Sequence, residues 1–459
     1  MPPRPSSFRF TRPSLAFALL LSLLLVLWLA GGASRADVPG QAVVRTVSWA
    51  ALIVAALFAP RPTFNEVRTP GLFLSAALAL VLVQLIPLPP EVWRALPGRA
   101  GFAEATFGAA QPWRSWAIVP SGAWNAASSL VVPAAVLVLM AGSADREREA
   151  LPTVLLALIA LSAFMGLVQF SGPGFNNPFL NDSPGQVSGS FANRNHFALF
   201  LAMGCVLAPS WAFMDGARTR SRGPVAVGLV LLFVLTILAS GSRAGVLLGL
   251  LALAFGLSLA YRPLRRELRG RPRWVAPVIV GMVAAVIGTF VLLSFAADRA
   301  SSINRIIAVD DVEEMRTRAL PTVLTMVRDF FPAGAGFGGF DPLFRMYEPF
   351  DLLKLTYFNH AHNDLLEVVL DGGVAALLLL LAAIAWWARA SMRVWRTGEA
   401  APHPRLGSAL LLLVLLASAF DYPARTPMIM ATVAIAAVWL GGPDRARGRS
   451  ALPSGNQQL

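Results

Sequence analysis

The chain has 459 residues, 56% of them hydrophobic and only 14% charged, with a formal net charge of +13. Soluble domains are about 45–50% apolar and about 25% charged, whereas the apolar residues here run for roughly 17–25 positions at a time, enough to cross a hydrocarbon layer of about 30 Å. A soluble enzyme, a disordered protein and a disulfide scaffold are excluded; a transmembrane barrel is disfavoured, because its strands would alternate over about 10 residues. What remains is an all-α, polytopic integral membrane protein.

In chain order, apolar runs between charged or Pro/Gly breaks predict about twelve transmembrane helices in one membrane domain over 1–459. They lie near 14–32, 42–59, 71–88, 123–142, 151–171, 195–214, 224–241, 243–261, 275–296, 364–388, 406–420 and 427–441. Arg4, Arg9 and Arg12 before Ser14–Ala30, with Gly31-Gly32-Ala33-Ser34-Arg35-Ala36 after it, also fit a signal peptide. About 17 apolar residues are long for such a core, and further spans follow, so an uncleaved first helix is expected.

Lys354 is the only lysine, so the other 37 basic residues are arginine. In a soluble chain this charge would point to nucleic acid; in short loops between spans it orients the protein instead, and no nucleic-acid partner is expected. With Met1 cytoplasmic, 23 arginines fall on the inward side and 7 in short outward loops, which predicts both termini in the cytoplasm. The single cysteine, Cys205, lies inside an apolar run and permits no internal disulfide.

Two outward regions exceed a turn. Residues 89–122 carry Trp93, Trp113 and Trp116, as an aromatic belt at the headgroup level would. The second, 297–363, is a large, arginine-rich external loop. Within it, Leu320, Val323, Leu324 and Val327 predict one face of an amphipathic helix over Glu313–Phe330, with Pro321 as a kink or first-turn residue.

Polar residues cluster in four places, all outward in this topology. Gly189-Ser190-Phe191-Ala192-Asn193-Arg194-Asn195-His196 opens the sixth span, and Ser240-Gly241-Ser242-Arg243-Ala244-Gly245 turns between the seventh and eighth. The long loop holds Arg316, Arg318 and the run Gly334-Ala335-Gly336-Phe337-Gly338-Gly339-Phe340. It ends in Asn359-His360-Ala361-His362-Asn363-Asp364-Leu365-Leu366-Glu367.

Each cluster alone has an ordinary reading. Arginines at span ends are commonly snorkelling anchors, and His196 suits a helix–helix hydrogen bond. The glycine run is a flexible turn or a phosphate cradle, and Asp364 and Glu367 share one face of a solvated helix start. His360 and His362 could hold a metal, but with no third His or Cys nearby neither a metal nor a cofactor is expected. Together the clusters suit one chemistry. Guanidiniums bind phosphate oxygens through a rigid fork and stay charged. One imidazole takes a proton from an attacking hydroxyl.

The order Gly189-Ser190-Phe191-x-Asn193-Arg194-Asn195-His196, Ser240-Gly241-Ser242-Arg243, Arg316, Gly334-x-Gly336-x-Gly338-x-Phe340, His362-Asn363-Asp364-x-x-Glu367 and Gly372-Gly373 resembles the O-antigen ligase/polymerase superfamily. Leu85-Ile86-Pro87-Leu88-Pro89 with Trp93, and Asp421-Tyr422-Pro423-x-Arg425, are similar to its members as well. The likeness is strongest over 185–385. It implies a multi-pass enzyme of the bacterial inner membrane that moves a glycan from undecaprenyl pyrophosphate to an acceptor hydroxyl, without a metal. It further implies His362 as the base, with Arg243 and Arg316 as catalytic pyrophosphate clamps. Arg194, Asn193, His196, Arg318, His360, Asn363 and Gly336 are the substrate-binding candidates. Where relatives often carry an aromatic four residues after the loop arginine, this chain has Leu320, which leaves Arg318 as a rival to Arg316, and His360 rivals His362.

The leading expectation is an O-antigen ligase acting on lipid A core among membrane lipids. The alternatives are a polymerase whose acceptor is a second lipid-linked glycan, a protein O-oligosaccharyltransferase, and a lipid-linked glycan transporter. A transporter would spread its charges through the membrane midplane, whereas here they gather at one side.

Overall fold

The computed structural model describes residues 12–442 except 106–108, 173–176, 182–185, 215–218, 354–357, 397–401 and most of 271–310. The ninth predicted span lies mostly outside those residues, as do 297–310, Arg4 and Arg9. Every other predicted span contains a helix. In chain order these helices are α1 (Leu15–Ala30), α2 (Pro39–Phe58), α3 (Arg68–Val83), the short α4 (Pro90–Ala95) and α5 (Ala100–Glu104), α6 (Pro120–Ser129) and α7 (Val131–Gly142). There follow α8 (Asp145–Arg148), α9 (Leu151–Phe170), α10 (Arg194–Trp211), α11 (Thr219–Ser240) and α12 (Arg243–Arg269). The last are α13 (Asp311–Phe330), α14 (Phe340–Tyr347), α15 (Asp364–Arg396), α16 (Pro402–Ala417) and α17 (Pro427–Gly441).

Among the described residues, six helical segments are long and apolar enough to cross a membrane: Pro39–Phe58, Pro120–Gly142, Asp145–Phe170, Ser221–Ser240, Arg243–Glu267 and Asp364–Arg396. The chain is an all-α membrane protein. Among the described residues, strand is confined to β1 (Pro87–Leu88) and β2 (Arg114–Ser115), antiparallel with Pro87 opposite Ser115.

The bundle is organised around α10. From His196 through Ser210 every residue of this helix is buried, and it packs against α9, α11, α12 and α16. A helix apolar on all sides belongs in an interior. Small residues let its neighbours close in: a Cβ on Gly256 of α12 would sit 2.4 Å from the Cys205 carbonyl, and one on Gly245 2.3 Å from Ala198 Cβ.

Segments between the apolar helices form a second core. Ala319, Val323, Met326 and Phe330 of α13 pack with Phe340, Leu343, Phe344 and Leu370. The predicted helix is present, with Pro321 inside it, but its buried stripe is displaced from the one predicted: Leu320 and Leu324 are exposed. The reason is that the second core lies on the Ala319–Val323–Met326 side, which leaves Leu320 on the same face as Arg316 one turn earlier. The aromatic-belt expectation is also corrected. Trp93 is 3% exposed, donates to Ser115 O at 3.0 Å and lies under the Arg114 guanidinium at 4.8 Å. Trp116 donates to Ala333 O at 3.2 Å, and of the three only Trp113 is openly exposed. Arg99, 1% exposed, stitches these pieces together by donating to Trp116 O at 2.8 Å and Gly334 O at 3.2 Å. Burial pushes its pKa down to about 10.

The glycine run docks on a break in α15. Gly373 takes φ +57° there, and a Cβ at that position would lie 2.0 Å from Pro332 O. The break frees carbonyls that the run then satisfies: Ala335 N donates to Leu370 O at 2.8 Å and Gly336 N to Asp371 O at 2.9 Å. Gly336 has φ +102°, and a Cβ on it would meet Ala117 Cα at 2.5 Å. Its N–H is thus committed to the protein's own backbone.

Candidate functional site

A cavity of about 960 Å³ opens where three helices begin. Arg194 starts α10, Arg243 starts α12, and Asp364 starts α15 immediately after the loop of His362 and Asn363. Each polar cluster contributes to its lining: Asn193, Arg194, Asn195 and His196; Gly241, Ser242 and Arg243; Arg316; and Asn359, His362 and Asn363. Helix N-termini carry partial positive charge and bare N–H groups, so α10 and α12 add to the charge of the guanidiniums. Below Arg243 the wall turns apolar through Leu247, Leu248 and Leu251, one to two turns along α12. Leu247 is 69% exposed on the outer surface of the bundle.

Local sequence builds each edge. Asn193 caps α10 by accepting the Asn195 N–H at 2.8 Å. Gly241 at φ +64° turns the chain between α11 and α12, and Ser242 caps α12 by accepting the Gly245 N–H at 2.9 Å. The Ser242 hydroxyl donates to Asn195 Oδ1 at 2.7 Å, joining the two helix starts.

The centre of the polar network is a residue that the motif reading did not assign, Asp421. It is 3% exposed. Its Oδ2 accepts from Asn195 Nδ2 at 2.7 Å, Asn193 Nδ2 at 3.1 Å and Arg316 Nη2 at 3.4 Å. Its Oδ1 lies 3.1 Å from His362 Nδ1, 3.0 Å from the Tyr422 backbone nitrogen and 3.8 Å from His196 Nε2. Burial alone would raise its pKa, but the Arg316 charge, the His362 bond and the nearby His196 imidazole hold it well below the ordinary carboxylate range. Asp421 is therefore ionised, and His362 Nδ1 carries the proton it shares with that carboxylate. His362 Nε2 is left as the acceptor. Burial lowers the pKa of His362, and the Asp421 bond and charge only partly oppose that. His362 also has φ +50°, alone among the described non-glycine residues in being left-handed.

A second network lies behind the first. Arg425 Nε donates to Asp364 Oδ1 at 2.9 Å, and its Nη1 pairs with Glu367 Oε1 at 3.1 Å. Its Nη2 is 3.6 Å from Asp371 Oδ2. Burial opposes the Arg425 charge, yet the three carboxylates outweigh it and raise the pKa above the ordinary arginine value. Tyr422 separates the networks, with the rings of His360, His362 and His196 centred 4.4, 4.8 and 5.0 Å from its own.

The predicted site residues thus divide. His362, Arg243, Arg316, Arg194, Asn193, His196 and Asn363 line one cavity. His360, Arg318 and Gly336 are not in its lining. His360 Nδ1 bonds Glu367 Oε1 at 2.9 Å, and Arg318 pairs with exposed Asp351 at 2.7 Å. Among the described residues no group of three or more His, Cys, Asp and Glu is arranged to hold a metal ion.

Among curated proteins none matches the chain. Residues 228–381, about a third of its length and including Arg243, Arg316 and His362, match the family model described as O-antigen ligase. That family consists of glycosyltransferase-like enzymes acting on a lipid-linked glycan. The likeness read from the motifs is borne out over residues 228–381, where the chain is similar to the O-antigen ligase family.

Proposed function

We propose that the protein is an O-antigen ligase. It transfers a glycan from an undecaprenyl-pyrophosphate donor to a hydroxyl of lipid A core at the periplasmic face of the bacterial inner membrane. The proposal includes twelve membrane crossings, cytoplasmic termini and a periplasmic loop over 297–363. The single observation that carries it is the cavity in which Arg194, Arg243 and Arg316 meet His362, with an apolar wall continuing down α12. An amphiphile with a long tail, a diphosphate and a sugar matches that sequence of surfaces.

In this reading the tail runs along Leu247, Leu248 and Leu251, and the diphosphate sits between the arginine forks and the α10 and α12 N-termini. His362 Nε2 accepts the acceptor's proton as the hydroxyl oxygen attacks the anomeric carbon. The bond from that carbon to the phosphate oxygen breaks, and its electron pair leaves on the diphosphate. Asp421 holds the imidazole in the required tautomer and steadies the imidazolium that forms. The arginines neutralise charge developing on the leaving group, so their contribution is largest in the transition state.

The test is transfer by the purified protein, given synthetic glycan-diphospho-undecaprenol and either lipid A core or a second donor molecule. Product on lipid A core that disappears in His362→Ala, with donor binding retained, is the expected result. Chain extension of the second donor alone would assign polymerase activity instead. Near-normal turnover in His362→Ala would reject the catalytic assignment.

A further inference from the structure

Glu367 stands in the first turn of α15, where a solvated helix start would place it in water, yet it is 0% exposed. Its Oε2 accepts the Ala361 backbone N–H at 2.7 Å. Its Oε1 lies 2.9 Å from His360 Nδ1 and 3.1 Å from Arg425 Nη1. Glu367, His360 and Arg425 are all absent from the cavity lining, so this carboxylate is not placed to touch a donor.

What it does touch is the peptide just before His362. A left-handed non-glycine residue persists only where its surroundings over-determine it. After His362 the chain is tied down by Asn363 Nδ2 on Ala419 O at 3.1 Å and Asp364 N on Ser418 O at 2.9 Å. Before His362, Glu367 makes the corresponding tie at Ala361. Arg425, itself fixed by Asp364, braces Glu367 from behind.

We propose that Glu367, braced by Arg425, is a positioning residue that clamps the Ala361 peptide and thereby sets the direction of the His362 imidazole. The inference rests on His362 being the proton acceptor proposed above, and adds the device that aims it. It acts through the backbone, so an uncharged side chain with a suitable acceptor oxygen serves in part.

The experiment uses the full chain in lipid nanodiscs with synthetic glycan-diphospho-undecaprenol and lipid A core. Glu367→Gln retains a carbonyl for the Ala361 N–H, and its kcat should stay within about fivefold of the parent. Glu367→Leu has similar bulk and no acceptor. It should lose about a hundredfold in kcat, the scale of a 1 Å misplacement, with the donor KM within about twofold of the parent. Glu367→Met, which repacks more readily, carries the same expectation should the Leu variant fail to accumulate. Parent-like kcat in either apolar variant overturns the inference. So does a hundredfold loss in Glu367→Gln, which would assign the effect to charge, or a loss seen mainly in KM. Failure of the functional reading looks different: the parent and His362→Ala would then transfer equally.

Discussion

His362 Nδ1 lies 3.1 Å from Asp421 Oδ1, across 59 residues of sequence. The bond fixes which ring nitrogen is free, and in the proposed reaction that nitrogen, Nε2, takes the proton. Asp421→Asn should therefore keep donor binding but lower kcat by about 10²–10⁴-fold, the range for losing a correctly oriented general base. Initial-rate transfer and donor binding on the same preparation check this, and a Asp421→Asn kcat within about threefold of the parent would contradict it.

The pH profile follows from the same pair. His362 must be neutral to accept a proton, and burial sets its pKa below the ordinary value of 6.5. Activity should accordingly hold through neutrality and fall only as pH drops through that lowered pKa. Asp421 raises the His362 pKa against the effect of burial, so the acidic limb of residual Asp421→Asn activity should move to still lower pH. A kcat/KM profile of both proteins gives the sign directly, and a limb that does not move to lower pH would show that Asp421 does not carry the charge assigned to it.

The two loop arginines should separate cleanly. Arg316 reaches the cavity and Asp421, whereas Arg318 pairs with exposed Asp351. Arg243→Lys and Arg316→Lys should each reduce kcat/KM by about 10–100-fold, because a point charge replaces a bidentate fork. Arg318→Ala should stay near the parent, since exposed pairs contribute about 0–1 kcal/mol. Equal losses at 316 and 318 would argue against the cavity as the donor site.

Gly336→Ala should behave as a folding variant. The φ of +102° and the approach to Ala117 make any side chain there strained, at a cost of about 1–3 kcal/mol. A lower Tm in detergent with unchanged kcat per folded molecule is expected; a selective rise in donor KM would instead mark the glycine run as a phosphate cradle.

Orientation can be read without removing the native thiol, because Cys205 is 0% exposed. Asp351→Cys should react with an impermeant maleimide in spheroplasts, and Arg396→Cys only after lysis. The reverse pattern would invert the proposed topology.

Much of the site was legible because its charged residues stand at helix starts, and runs of apolar residues locate those starts. The span pattern placed Arg194, Arg243 and His362 at helix ends on one side, and α10, α12 and α15 begin at or just after them. Asp421 escaped because a carboxylate in a turn between apolar helices looks like an ordinary solvent-facing end. Only the tertiary fold brings it to two asparagines, two histidines and Arg316. Glu367 was missed for a related reason: spacing says that it shares a face with Asp364, but not whether that face meets water or Arg425. The motif Asp421-Tyr422-Pro423-x-Arg425 held the available signal for both. The stripe of α13 and the fate of Trp93 depend on which external segment packs against them, and periodicity within a single segment carries no such information.

The enclosure of α10 also bears on how the protein is made. Translation delivers α10 before α11, α12 and α16, three of the four helices that surround it. Until they arrive much of its surface faces lipid, and Thr426 and Asp421, the partners of His196, are not yet made. Insertion of this segment is thus tied to synthesis of the next two hundred or so residues, and ribosome stalling after α10 should leave a nascent chain unusually vulnerable to membrane quality-control proteases.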